Sequence, residues 1–428
     1  MDVILFNAPV TVRNEHARLS PPLGIAYLAS ALRNAGFTVS AVDMNVSGFN
    51  PVRVDGIIAY EHPAVVGISA MTETYPNALA IARRVKERAP ETVVVIGGAH
   101  ATIAPDEVMT HPEVDFVIVG AGETGIVGLV SYELRGAGML EQVPGLVWRD
   151  GNIVRHDPRA PLVSPDELPR PARDLFPVEF YRDPWNVLTA TGSCPYRCPF
   201  CSASSLWQGR RRMRSPRSVA AEVADLVREH GVSRVFFTDD LFTLDRRWVR
   251  ELADELRAIG TPVAWGCATR VDQVDPDLLR TMAAAGCTGI QFGVESGSQE
   301  VLDSVKGIDK TQVLYAIRAA VDAGIEPVSS FMVPFPQDTR ETLGESLEFM
   351  KAVKDAGSRI FMSYTCPYPG TSFHEHADEL GLRILTDDWG RYDAKHVVME
   401  TANLSAAEIQ QIAEEMAAEL GLVKSVSG

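Results

Sequence analysis

Cys194-Pro195-Tyr196-Arg197-Cys198-Pro199-Phe200-Cys201 sets three thiols within eight residues. An apolar, β-prone run from Trp185 to Ala190 leads into it, which places the cysteines on a loop leaving a strand. A 4Fe–4S cluster is fully ligated by four cysteines, so three thiolates on one loop can hold three irons and leave the fourth without a protein ligand. An open coordination position lets a metal site bind substrate instead of only supporting the fold. Two plainer readings stand beside this one: a zinc site, or three unrelated thiols. Structural zinc takes four Cys or His ligands in paired short spacings, and no second pair stands out here.

The C-x-x-x-C-x-x-C spacing in this setting resembles the radical S-adenosylmethionine (SAM) enzymes, and Phe200, the aromatic just before the third cysteine, fits the same pattern. The resemblance implies that Cys194, Cys198 and Cys201 ligate a 4Fe–4S cluster. It also implies that the amino and carboxylate groups of SAM chelate the open iron, and that an electron from the cluster cleaves SAM to a 5′-deoxyadenosyl radical.

Composition narrows the rest. The 428 residues suffice for two or three domains with large cores. Hydrophobic residues make up 46% and charged residues 22%, the balance of a soluble globular protein. Lys and Arg number 40 against 56 Asp and Glu, a net charge of −16, which speaks against a nucleic-acid partner held through its phosphates. Besides the motif only Cys267, Cys287 and Cys366 remain, and they read as free thiols in a reducing compartment. Val3 to Phe6 reads as a strand with no basic segment and apolar core ahead of it, so no signal peptide is expected. No apolar run approaches the roughly 18 residues that a membrane span needs. A cytoplasmic location is expected.

Residues 1–135 alternate strand and helix. Val3–Phe6, Val39–Val42, Val65–Ile68, Val93–Ile96 and Phe116–Val119 read as short apolar strands, with helices at Pro22–Ala35 and Tyr75–Ala89 between them. Such a pattern predicts a Rossmann-like parallel sheet of α/β class covered on both faces. Ligands of these sheets bind beyond the carboxyl ends of the strands. The loops there are Ser69-Ala70-Met71-Thr72, the Gly97-Gly98 loop running to Thr102, and Gly120-Ala121-Gly122-Glu123-Thr124. Their small residues admit a ligand close to the backbone.

These loops, with Pro21-Pro22-Leu23-Gly24, resemble the cobalamin-binding domain of the cobalamin-dependent radical SAM family. On that resemblance Gly24, Ser69, Met71, Thr72, Gly97, Gly98, Gly120, Gly122 and Glu123 are the cobalamin contacts. Ala121 departs from the pattern, where the family often has glutamate. The D-x-H-x-x-G motif that gives cobalt a histidine in other cobalamin proteins is absent, so the cofactor's own base is expected off the metal with no histidine in its place. His16 and His100 are candidates only by position, and a surface or nucleotide-contact role suits each better. A similar fold that binds nothing is the bland alternative.

Residues 136–184 read as a connector: a hairpin from Gly145 to Val154 through an Asp150-Gly151 turn, then Pro158, Pro161, Pro165, Pro169, Pro171 and Pro177 in an extended linker. From 185 to 372 the strand–helix rhythm returns. Counting the strand before the cysteines, six strands suit the partial (β/α)6 barrel of radical SAM enzymes. The chemistry is then expected at the carboxyl ends of the strands.

Those ends carry Thr238-Asp239-Asp240, Thr269-Arg270, Glu295-Ser296 and Pro334-Phe335-Pro336, and Gly293-Val294-Glu295-Ser296-Gly297-Ser298 is the closest match to the family after the cysteines. Positionally, the resemblance assigns Asp239 and Asp240 to the SAM ammonium, Glu295 to its ribose and Arg270 to its carboxylate, with Ser296 beside them. A helix cap or a salt bridge is the plain alternative for each. The run Arg210-Arg211-Arg212-Met213-Arg214 reads as a solvated face, or as a contact for an acidic reductant or a polar cofactor group. Residues 373–428 form a C-terminal segment with an amphipathic helix at Ala406–Leu420, and substrate selection in the family often lies here. Tyr364 and Cys366 are the candidate substrate-lining and catalytic residues, an ordinary core Tyr and Cys being the alternative.

The function implied is a cobalamin-dependent radical SAM methyltransferase acting on an unactivated carbon of a small molecule, served by a flavodoxin- or ferredoxin-type reductant. In such enzymes one SAM methylates cob(I)alamin, a second yields the radical that takes a substrate hydrogen, and methylcobalamin delivers the methyl group. The cofactors do the hard chemistry and the protein positions them. Radical cyclisation, rearrangement or oxidation without methyl transfer is the alternative enzyme. A cobalamin-binding or electron-transfer protein without catalysis is the alternative of another class.

Overall fold

The computed structural model describes residues 1–11, 20–157, 164–192, 194–208 and 210–422. His16, Pro158 and Pro161 lie outside these. The chain forms two compact units: Met1–Pro184 with Ser205–Trp207 and Asp388–Gly390, and the remainder.

The first unit is built on one sheet. Its strands are β1 (Val3–Asn7), β2 (Val39–Asp43), β3 (Val65–Ser69), β4 (Val93–Gly97), β5 (Phe116–Ile118), β6 (Leu146–Asp150) and β7 (Ile153–His156). Their order is β2-β1-β3-β4-β5-β6-β7, and β1 to β5 are parallel. Successive side chains of a strand point to opposite faces, and here both faces are buried. Ile4, Phe6, Ile68 and Ile96 pack on one side with the helix Tyr75–Arg88. Val3, Leu5, Val95 and Ile118 pack on the other with helices Leu23–Asn34 and Glu123–Arg135. That explains strands that are apolar without alternation.

Two parts of the expected connector belong to this unit. The hairpin β6–β7 pairs antiparallel with β5 through Phe116–Trp148, Val117–Val147 and Ile118–Leu146, so it extends the sheet. The segment after it is no free linker either. Ala172, Phe176 and Tyr181 are buried in the core, the Tyr181 hydroxyl donates to Asp43 Oδ2 at 2.8 Å, and Arg33 pairs with Asp174 at 2.9 Å.

The second unit carries β8 (Asn186–Leu188), then β9 (Ala190–Gly192) and β10 (Arg211–Met213), which pair antiparallel with each other. β11 (Arg234–Thr238), β12 (Ala264–Thr269), β13 (Cys287–Glu295), β14 (Glu326–Val333) and β15 (Arg359–Tyr364) follow, each preceded by helix. β15-β14-β13-β12-β11-β8 form an all-parallel sheet with β8 and β15 as its edges, the expected open six-stranded α/β arrangement. Its core runs from Val187 and Phe237 to Phe331 and takes in Ile409, Ile412 and Met416 of the helix Ala406–Leu420, so the C-terminal segment completes this core. Parallel strands put every carboxyl end on one edge, where the Cys194–Cys201 loop also emerges two residues after β9. Among the described residues no helix is long and apolar enough to cross a membrane.

Candidate functional site

In the first unit the loops after β3, β4 and β5 leave the same sheet edge, with Ser69 in register with Gly97. A cavity of about 250 Å³ lies among them, walled by Leu5, Ile25, Leu28, Val95, Ile118 and Ile126. Seven expected contacts line it: Gly24, Ser69, Gly97, Gly98, Gly120, Gly122 and Glu123. Missing side chains keep it open. Gly98 has φ +98°, and a Cβ there would stand 2.5 Å from the Ala70 carbonyl oxygen; a Cβ on Gly67 would stand 2.7 Å from Leu5 Cδ2. Only glycine suits the first position. Leu206 and Trp207, which pack with this unit, also line the cavity, and nothing in their sequence signalled it.

Three residues lie outside the cavity wall. Met71 and Thr72 do not line the cavity, because the chain turns after Ala70: the Met71 N–H donates to Thr74 Oγ1 at 2.9 Å, leaving the Met71 side chain 54% exposed while Thr72 is buried. His100 is neither on the surface nor in the cavity. It is fully buried, stacked on Tyr75 at 4.1 Å with Trp389 edge-on at 5.3 Å, and among the described residues both its ring nitrogens lack a hydrogen-bond partner. Desolvation lowers its pKa to about 4.

In the second unit the three cysteines sit on one loop, with the Cys201 N–H donating to the Cys198 carbonyl at 3.0 Å. Burial pushes all three thiols up, Cys201 to about 11, and the charge of Cys198 further raises both Cys194 and Cys201. Thiols gathered in this way stay protonated until a cation compensates them, and metal ligation requires the thiolate. Among the described residues no three His, Cys, Asp or Glu converge on a single ion. A cluster, which takes one thiolate per iron, does not require that.

The loop is held from outside. The Tyr196 hydroxyl accepts from Gln273 Nε2 at 2.9 Å, and its ring lies under the Arg270 guanidinium. Phe200 packs edge-on to Phe335 at 5.7 Å and near Phe373 at 6.4 Å, and the Phe373 N–H donates to the Pro199 carbonyl at 3.3 Å. Phe200 thus anchors the loop in an apolar cluster.

The polar residues at the strand ends divide into committed and available groups. Asp239 is committed. Its buried carboxylate accepts from Arg211 Nη2 at 2.7 and 2.8 Å, Thr189 Oγ1 at 2.6 Å and the Leu241 N–H at 2.9 Å, so it serves the fold rather than an ammonium. Asp240 is exposed as a residue, yet its carboxyl accepts from the Cys194 backbone; desolvation and then the Asp239 charge push its pKa up. Ser296 is buried and bonded to Ser346 at 3.2 Å, again a packing role.

Glu295 adopts φ +80° and pairs with Lys306 Nζ at 2.7 Å, both side chains being nearly buried. Arg270 bonds Asp272 and the Lys306 carbonyl, while its buried Nη1 has no partner among the described residues. An unpaired guanidinium donor is suited to a carboxylate. Of the arginine run, Arg211 holds Asp239 and Arg214 is buried against Glu222 at 2.6 Å, so these two are structural ion pairs rather than a solvated face.

Tyr364 and Cys366 are 4% and 1% exposed. Tyr364 lies in the core with its hydroxyl unpartnered and its pKa pushed up to about 12 by desolvation and then Glu414. This burial suits the ordinary core reading of both better than the catalytic one. Sequence reasoning gave no role to Tyr196 or Lys306 and took Arg211 only as part of the basic run. Of the first two only Tyr196 carried a signal, its place inside the cysteine motif.

Comparison with known proteins follows the same division. Residues 9–130 match the B12 binding domain and residues 188–350 the Radical SAM superfamily. An uncharacterized methyltransferase of Pyrococcus horikoshii is 32% identical, with 92% of this chain and 86% of the relative covered. A cytidylyl-2-hydroxyethylphosphonate methyltransferase of Streptomyces wedmorensis is 28% identical, covering 82% of this chain and 76% of the relative. Among solved structures, the radical SAM methyltransferase TsrM from Kitasatospora setae with cobalamin and a 4Fe–4S cluster bound has the same fold. It superposes with a TM-score of 0.78 at 18% identity, covering 99% of this chain and 90% of that one.

Proposed function

Because this chain belongs to the cobalamin-dependent radical SAM enzymes, in which a B12 binding domain precedes a radical SAM domain, we propose that it is a methyltransferase acting on an unactivated carbon of a small molecule. One observation carries the reading: a glycine-cradled apolar cavity lies at the strand ends of one unit, and three clustered thiols with an unspent guanidinium donor lie at those of the other.

The residues fit the implied groups. Cys194, Cys198 and Cys201 supply three thiolates, with Tyr196 and Phe200 fixing their loop. Arg270 offers Nη1 to a carboxylate, and Lys306 holds Glu295 in place for a hydroxyl or ammonium. The apolar cavity accepts the flat base of a corrinoid, while the amide-rimmed ring itself is too large for about 250 Å³. When bound, these groups supply an electron, an adenosyl fragment and a methyl carrier. A flavodoxin- or ferredoxin-type electron donor and a cytoplasmic setting complete the proposal.

Product analysis tests it. After anaerobic reconstitution with cluster, corrinoid, SAM and candidate substrates, methyl transfer yields both S-adenosylhomocysteine and 5′-deoxyadenosine. Deoxyadenosine alone would instead indicate cyclisation, rearrangement or oxidation, and neither product a binding or electron-transfer protein. Cys198→Ala is expected to abolish deoxyadenosine; its persistence would overturn the cluster assignment.

A further inference from the structure

We propose that Glu123 selects among corrinoids by their lower base, sharing a hydrogen bond with a ring nitrogen of a benzimidazole-type base and disfavouring phenolic bases that lack one. This rests on the corrinoid reading of the cavity. Among the described lining residues Glu123 is the only ionisable side chain, set in a wall that is otherwise apolar or small. The Thr102 hydroxyl, also in the wall, already accepts the Gly120 N–H at 3.0 Å. The Glu123 carboxyl has its own backbone N–H at hand and, among the described residues, no side-chain partner.

A carboxyl set in an apolar cavity costs free energy unless a ligand satisfies it. Desolvation pushes its pKa up while the bond to its own backbone N–H opposes that shift, and a proton shared with an imine nitrogen makes the hydrogen bond whichever of the two groups holds it. A flat aromatic base fills such a space. With the base off the metal, as the family resemblance implies, its imine nitrogen is a free acceptor, which a phenolic base does not have. Discrimination then depends on one hydrogen bond, for which a fold-change of about ten is the expected size.

The test uses the corrinoid-free full chain, titrated with cobalamin, with a cobamide carrying a phenolic lower base, and with cobinamide, which has no base. Visible absorbance of the corrinoid and quenching of tryptophan fluorescence report binding in wild type, Glu123→Gln and Glu123→Leu. Wild type should prefer cobalamin over the phenolic cobamide about tenfold. Glu123→Gln, whose amide still donates, should keep most of that preference, and Glu123→Leu should lose it while still binding both. Equal binding by wild type, or a preference that survives Glu123→Leu, overturns the role of Glu123 and leaves the corrinoid reading intact. Failure of all three corrinoids to bind wild type overturns that reading and this inference with it.

Discussion

The guanidinium carbon of Arg270 stands 3.9 Å from the centroid of the Tyr196 ring, so a residue at the end of β12 clamps the cysteine loop from above. A desolvated cation–π contact contributes about 1 to 2 kcal/mol, and the planar fork that also reaches Asp272 is not reproduced by lysine. Arg270→Lys and Tyr196→Leu are both expected to loosen the loop. Chelator-driven loss of the reconstituted cluster should speed up by roughly tenfold in each, a factor matching that energy. Unchanged loss rates in both variants would contradict the clamp.

Glu295 and Lys306 form a nearly buried pair 2.7 Å apart, and Lys306 Nζ also donates to the Gly293 carbonyl at 2.5 Å. Removing one partner leaves a buried charge and costs about 3 to 5 kcal/mol. Lys306→Met should destabilise the second unit by that order in urea unfolding. Adding Glu295→Gln should recover much of the loss, because no charge is then stranded; a double-mutant cycle with no coupling would refute the pairing.

These two contacts mark where the sequence stopped being informative. The cysteine loop was legible because its chemistry is written in local spacing, and the strands because parallel strands read as unbroken apolar runs. The fate of Asp239 was not legible: its partner Arg211 lies 28 residues earlier, and only the β9–β10 pairing brings it there. The hairpin's Asp150-Gly151 turn was readable, but a local turn does not say which sheet edge the strands will join. Proline density suggested a linker, whereas the burial of Ala172, Phe176 and Tyr181 is a tertiary event with no local pattern. Glu123 stood out in its motif, but its isolation in an apolar wall shows only in three dimensions.

Gly98→Ala tests the cradle. Its φ of +98° disfavours any side chain, and the new Cβ would press on Ala70 N at 2.8 Å as well as on the carbonyl oxygen. A cost of about 1 to 3 kcal/mol follows from the backbone strain alone. Corrinoid affinity should fall while the cluster content of the second unit stays at the wild-type level. Equal affinity in Gly98→Ala would show that the loop is not part of the binding wall.

His100 gives the first unit an acid sensitivity. Its pKa is lowered by desolvation to about 4, against an ordinary 6.5 in the unfolded chain. The unfolded state therefore takes up a proton first as pH falls. Stability from the neutral ring is complete above pH 6.5 and drains away towards pH 4, amounting to about 3 kcal/mol at most. Partial pairing of the protonated ring with Glu107, 3.7 Å away, would reduce that figure. His100→Phe should flatten the loss between those two pH values in unfolding experiments; an unchanged acid slope would show that other groups cause it.

The proposed open iron can be examined directly. Electron–nuclear double resonance on the reduced, reconstituted chain, with SAM isotope-labelled in its amino and carboxylate groups, should show hyperfine coupling between the label and the cluster. A cluster signal that SAM leaves unaltered, with every iron capped by the protein, would contradict the account.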